Sequence, residues 1–245
     1  MADAVIPAEA GGQTQEVSAV ARIPGAIFSP GATFASIARR PTWVLPLLLW
    51  TVISLVVTSL IIPKIDWERV TRQALEKRNQ KVSEDAMPGI VERSRKIGST
   101  VSWFFGFAGP ALTSLFVALV IWGSLKAFGW DTTFRQSFGV TTHAFIPGML
   151  GSVLLIPIVL KRETIDPEGI RDLLRSNLGF LVERDTAKVA HAVLQSVDLF
   201  SIWTIVLLII GFAAAAKIPK KSAAGVIIGL WVVLVLLRAG WAAIF

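Results

Sequence analysis

The sequence contains no cysteine, which excludes disulfides and thiolate metal sites and leaves the redox compartment unread. Charge is scarce as well. Only 17% of the 245 residues are charged, against about a quarter in an ordinary soluble domain. Catalytic signatures are missing too. The two histidines, His143 and His191, belong to no HExxH, and there is no GxSxG and no glycine-rich phosphate loop ending in lysine. An intramembrane aspartyl protease needs two buried carboxylates, whereas Asp198 stands alone at a helix end. No catalytic, cofactor-binding or metal-ligating residue is therefore expected, and no cofactor. No internal repeat of the kind that marks many transporters is present.

What the sequence does have is apolar surface, gathered into runs. Hydrophobic residues make up 53% of the chain, and the mean hydropathy is +0.64. Several stretches of about 20 residues carry no charge, the length a helix needs to cross a hydrocarbon core of about 30 Å. Backbone groups in lipid must be satisfied within the segment, so these runs read as helices. The alternating ten-residue pattern of a membrane β-barrel is not seen.

The expected fold is all-α: a polytopic integral membrane protein, a bundle of five transmembrane helices with interfacial helices. The spans are placed at about 42–63, 99–125, 137–160, 197–216 and 222–243. Trp43 and Trp67 flank the first as headgroup-level rings. Gly109-Pro110 should kink the second, because proline removes a hydrogen bond and crowds the preceding turn.

Residues 1–24 read as a disordered tail, and 25–245 as the membrane domain. Before the first span, Ser29 is placed to cap a short helix with Pro30 in its first turn. Phe34 and Ile37 share one face of it, which suits a helix lying on the membrane. The mixed-charge stretch from Lys64 to Lys96 reads as a solvated helical loop broken at Pro88-Gly89. After the third span, Asp166 and Pro167 should open an amphipathic helix with Ile170, Leu173, Leu174, Asn177, Leu178 and Leu181 on one face.

The net charge of +7 points to anionic lipid headgroups rather than nucleic acid, since the basic residues sit between apolar spans. Membrane lipids are thus expected partners, nucleic acid is not, and a protein partner or self-association is open. Small-residue ridges let helix backbones approach closely. Gly225 and Gly229 form a GxxxG in the fifth span; Ala144, Gly148 and Ser152 form a ladder in the third, and Gly106, Pro110 and Ser114 one in the second. Packing within the chain is the simpler use of these ridges, and contact with a second copy is the alternative. His143 is expected to be hydrogen-bonded between helices rather than to relay protons. Asp198 and Arg238 lie at matching depth on either side of the final hairpin, which makes them a candidate structural pair at the helix ends.

Two stretches carry a family resemblance. FSPGATFASIARRPTWVLPLLL, from Phe28, and SVDLFSIWTIVLLIIGF, from Ser196, resemble bacterial members of the Yip-domain family (the Ypt/Rab-interacting-protein family). The matching residues of the second are Asp198, Leu199, Phe200, Ile202 and Trp203. The resemblance implies a helical membrane protein with a cytoplasmic N-terminus, here in a bacterial inner membrane. The small-GTPase binding of eukaryotic members is not carried over. Charge alone leaves the orientation open, because the two long loops hold more lysine and arginine than the short connections. The function expected is non-enzymatic, organising membrane or binding another protein. The competing class is an oligomeric transporter or permease subunit.

Overall fold

The computed structural model describes residues 18–183 and 186–244. Most of the expected tail lies outside the described residues. Its last three positions do not belong to a tail, because α1 (Arg22–Phe28) begins there. Ser29 joins α1 to α2 (Pro30–Arg39). Pro30 opens α2, where its missing N–H costs nothing, but the Ser29 side chain makes no capping bond.

Five helical segments are long and apolar enough to cross a membrane. The first is α3 (Val44–Ile61), prolonged by a 3-10 turn, Ile62–Lys64. After α4 (Trp67–Lys77) comes α5 (Met87–Ala127), far longer than the span expected there. Pro88-Gly89 does not break the loop, because Pro88 sits in the first turn of α5 and starts the helix. α5 also continues through Pro110. The third crossing is made of α6 (Phe134–Ala144) and α7 (Ile146–Leu160), which meet at Phe145. Pro147, at the start of α7, has no N–H to give to the His143 carbonyl, so the ladder is interrupted at that point. Then follow α8 (Lys188–Ser196), α9 (Leu199–Ala216) and α10 (Lys220–Ile244).

The helix expected over 166–181 is absent. Two 3-10 turns, Pro167–Asp172 and Leu178–Leu181, stand in its place. Arg175 has a left-handed backbone (φ 48°), and the Asn177 side chain donates to the Arg171 carbonyl and accepts from the Gly179 amide. The asparagine thus offers the backbone a turn in place of a helical ladder.

Chain direction sorts the connections onto two faces. The N-terminal segment, the 128–133 loop and the α9–α10 turn share one, called the N-terminal face below. The long loops after α3 and α7 share the far face and are stitched together there. The Ile165 amide donates to the Lys64 carbonyl at 2.8 Å, Lys64 Nζ donates to the Arg162 carbonyl, and Arg69 pairs with Asp166 at 3.5 Å.

The core lies near the N-terminal face, where α2 packs against α6 and α9. Phe34 and Ile37 are fully buried in it, beside Val140 and Phe212. The short helix before the first span is therefore inserted into the bundle and does not lie on the membrane. Two glycines make room. A Cβ on Gly211 of α9 would collide with Val140 and lie 2.8 Å from Phe34 Cδ1, and one on Gly139 of α6 would lie 3.1 Å from the Thr42 carbonyl oxygen.

Candidate functional site

The α1–α2 hairpin brings polar groups into the bundle with it. Arg22 is 4% exposed. Its guanidinium donates to the Arg40 carbonyl and Thr42 Oγ1, both at 2.8 Å, and to Ser36 Oγ at 2.9 Å. The planar fork thus ties α1 to α2 and to the entry of α3. Gln136, held in a capping box with Thr133, reaches across from α6 to donate to the Ala38 carbonyl at 2.8 Å.

His143 is completely buried at the end of α6. Its Nδ1 lies 2.8 Å from the Gly139 carbonyl, one turn back in its own helix, so Nδ1 carries the proton. Among the described residues Nε2 has no partner, nor do the buried hydroxyls of Ser114, Ser137 and Thr141. The expected hydrogen bond between helices is thus replaced by one within α6, leaving an open acceptor beside the break in the third crossing.

The small-residue ridges divide. Gly106, Pro110 and Ser114 are buried along α5, and a Cβ on Gly106 would lie 2.8 Å from Thr58 Oγ1 of α3. In α7 the contact glycine is Gly151, whose Cβ would meet Phe200 of α9 at 3.0 Å, and not Gly148. Gly148, Gly225 and Gly229 are exposed, and a methyl group added at any of them would have nothing within 4 Å. Of the two uses left open for these three, packing within the chain is not seen among the described residues, and contact with a second copy stays open. Helix rotation turns them outward.

The pair expected at the far face is also rearranged. Asp198 caps α9, accepting from the Ser201 amide at 2.9 Å and from Ser176 Oγ. Arg238 donates instead to Gln195 Oε1 at 3.1 Å and Ser196 Oγ at 3.2 Å, on α8. Gln195 in turn donates to Asp172 Oδ1 at 2.9 Å, and His191 Nε2 lies 3.4 Å from Asp172 Oδ2. Asp198 and Arg238 do share one end of the bundle, as their depths require, but α8 was unforeseen and takes the guanidinium. The network fastens the 167–198 segment to the last helix.

Surface hollows occur on the far face, along α4 and between α4 and the 164–167 loop, lined by residues of both charge signs. There Arg72 holds Glu68 and Glu84 together at 3.0 Å each, and these carboxylates raise the guanidinium pKa further above its ordinary value. Among the described residues no three His, Asp or Glu side chains converge as a metal ion would require.

The chain is similar to "Membrane protein YknW" of Bacillus subtilis (strain 168), 27% identical over 202 residues, which cover 81% of this chain and 80% of that protein. No solved structure matches it. The model of the Yip1 domain family matches residues 25–241, from α1 to the last turns of α10, and the chain belongs to that family.

Proposed function

We propose that the protein is a non-enzymatic scaffold of a bacterial inner membrane, with its N-terminus in the cytoplasm, which binds a protein partner within the bilayer. The observation that carries this reading is the outward GxxxG of α10. Gly225 and Gly229 offer a flat strip of backbone, and among the described residues nothing of their own chain lies within 4 Å of a methyl group added there. Exposed glycine brings a lone lipid-facing helix no benefit, whereas a second helix gains close backbone contact from it. Ile228, Val232 and Leu236 border the strip and are 46%, 41% and 64% exposed.

A photoreactive residue placed at Ile228 tests this in native membranes. A discrete protein adduct, whether with a second copy or another chain, is expected, and it should disappear when Gly229 is replaced by Leu. Adducts with lipid alone would overturn the proposal.

A second reading, as a subunit of an oligomeric transporter, is favoured by one feature. The third crossing is interrupted beside His143, whose buried Nε2 has no partner among the described residues, and broken helices of this kind frame sites in secondary transporters. Solute flux in proteoliposomes that is lost in His143→Phe would favour that reading over the scaffold.

A further inference from the structure

Three lysines without an acidic partner among the described residues gather at one corner of the N-terminal face. α5 ends there in a left-handed turn: Gly129 has φ 77°, its amide closes on the Lys126 carbonyl at 2.9 Å, and the Trp130 amide reaches the Leu125 carbonyl at 3.0 Å. The turn projects Phe128, which is 65% exposed, and sets it against Trp130 with ring centroids 5.3 Å apart and planes tilted by 31°. α9 ends beside it, also in a left-handed residue, Lys217 (φ 54°), and Lys220 and Lys221 begin α10. All three lysines are exposed, and none makes an ion pair among the described residues.

Asp131 is the one acid of this corner among the described residues. It pairs with Lys126 at 2.7 Å, and that bond, with Lys217 acting through space, holds its carboxyl below the usual range. On the far face, by contrast, several cations are taken up by neighbouring acids. Arg72 joins Glu68 and Glu84, Arg95 joins Glu92, and Arg69 joins Asp166.

We infer that this corner is a binding site for the headgroup of an anionic phospholipid, with Lys217, Lys220 and Lys221 on the phosphate and Phe128 and Trp130 seated among the upper acyl carbons. Two features suit a lipid better than a soluble anion. The lysines sit at the ends of two membrane-crossing helices, at headgroup depth, and the aromatic pair beside them is amphipathic only as a pair: an exposed phenyl and an indole with a polar edge.

The test uses the purified full chain in neutral detergent, titrated with phosphatidylglycerol or with phosphatidylcholine, and reads tryptophan fluorescence and melting temperature. Phosphatidylglycerol should raise the melting temperature more than phosphatidylcholine does. The triple variant Lys217→Gln, Lys220→Gln, Lys221→Gln should lose that difference, with apparent affinity for phosphatidylglycerol on the order of a hundredfold weaker. Its melting temperature in phosphatidylcholine should be unchanged, which separates lost binding from misfolding. Asp131→Asn, by releasing Lys126, should strengthen the preference, and Phe128→Ala should weaken binding of both lipids.

The control is Lys161→Gln with Arg162→Gln on the far face, which should keep the full anionic preference. An equal loss in control and triple variants would mean diffuse charge attraction, and an unaltered preference in the triple variant would mean binding elsewhere. Either result overturns the site. Inorganic phosphate at millimolar concentration should not reproduce the effect. If it does, the corner is an anion site and the lipid assignment fails.

Discussion

Replacing Gly211 by alanine adds one methyl group to a filled contact between α9, α6 and α2. That methyl would meet Val140 of α6 and lie 2.8 and 3.1 Å from two ring carbons of Phe34. Neither neighbour is the loose end of a flexible side chain, and both are fully buried. Inserting a methyl into a filled site costs about 1–3 kcal/mol, because side chains leave their rotamers or backbones shift. Alanine also favours helix over glycine by about 1 kcal/mol, which masks part of that cost in a single variant. Gly123→Ala in α5 supplies the correction, since it carries the same propensity gain and nothing lies within 4 Å of the new methyl. The difference between the two variants isolates the collision. In a chain of this size 1 kcal/mol moves the midpoint by about 2–4 °C, so Gly211→Ala should melt about 2–12 °C below Gly123→Ala in detergent. Val140→Ala, which removes the nearest obstacle, should recover most of the gap when combined with Gly211→Ala. Midpoints within about 1 °C of each other would refute the claim that the α2 helix is wedged between α6 and α9.

Three further outcomes follow from the same geometry. Arg22→Lys keeps the charge but cannot reach Arg40, Thr42 and Ser36 together, so it should cost about 1.5–3 kcal/mol and open the 22–40 segment to limited proteolysis. A double-mutant cycle of Arg238→Gln with Gln195→Ala should show coupling of about 0.5–1.5 kcal/mol, whereas Arg238→Gln with Asp198→Ala should be additive within about 0.5 kcal/mol, since the two share no partner. A reporter fused after Phe245 should be active outside the cytoplasm, because an odd number of crossings puts the two termini on opposite sides; a cytoplasmic signal with a cytoplasmic N-terminus would contradict five crossings.

The five crossings were legible because they depend on one scalar property, the length of a charge-free run, and the bilayer sets that length. What was not legible depends on rotation about the helix axis. Inside a membrane both lipid and protein are apolar, so a helix face rich in small or apolar residues does not announce which of the two it meets. Phe34 and Ile37 share a face equally well on a membrane surface and inside a core. The signal that decides between them sits elsewhere in the chain, in Gly139 and Gly211, the residues small enough to admit that face. The same ambiguity leaves Gly148, Gly225 and Gly229 open between internal contact and an outward face, and they point outward.

Depth and rotation separate again at Asp198 and Arg238. Counting residues from the turn gives their height at about 1.5 Å per residue. Each further residue turns a side chain by about 100°, so the count could not say which neighbour Arg238 would face. The neighbour turned out to be α8, whose nine residues are too short and too mixed in character to stand out from the loop around them. The misread 166–181 segment did carry a visible warning. Its apolar spacing is helical, but Asn177 occupies a position in the apolar stripe, and an asparagine there can satisfy backbone groups of a turn more readily than it can pack. A polar residue that interrupts an otherwise regular stripe is better read as evidence about the backbone than as an exception to the pattern.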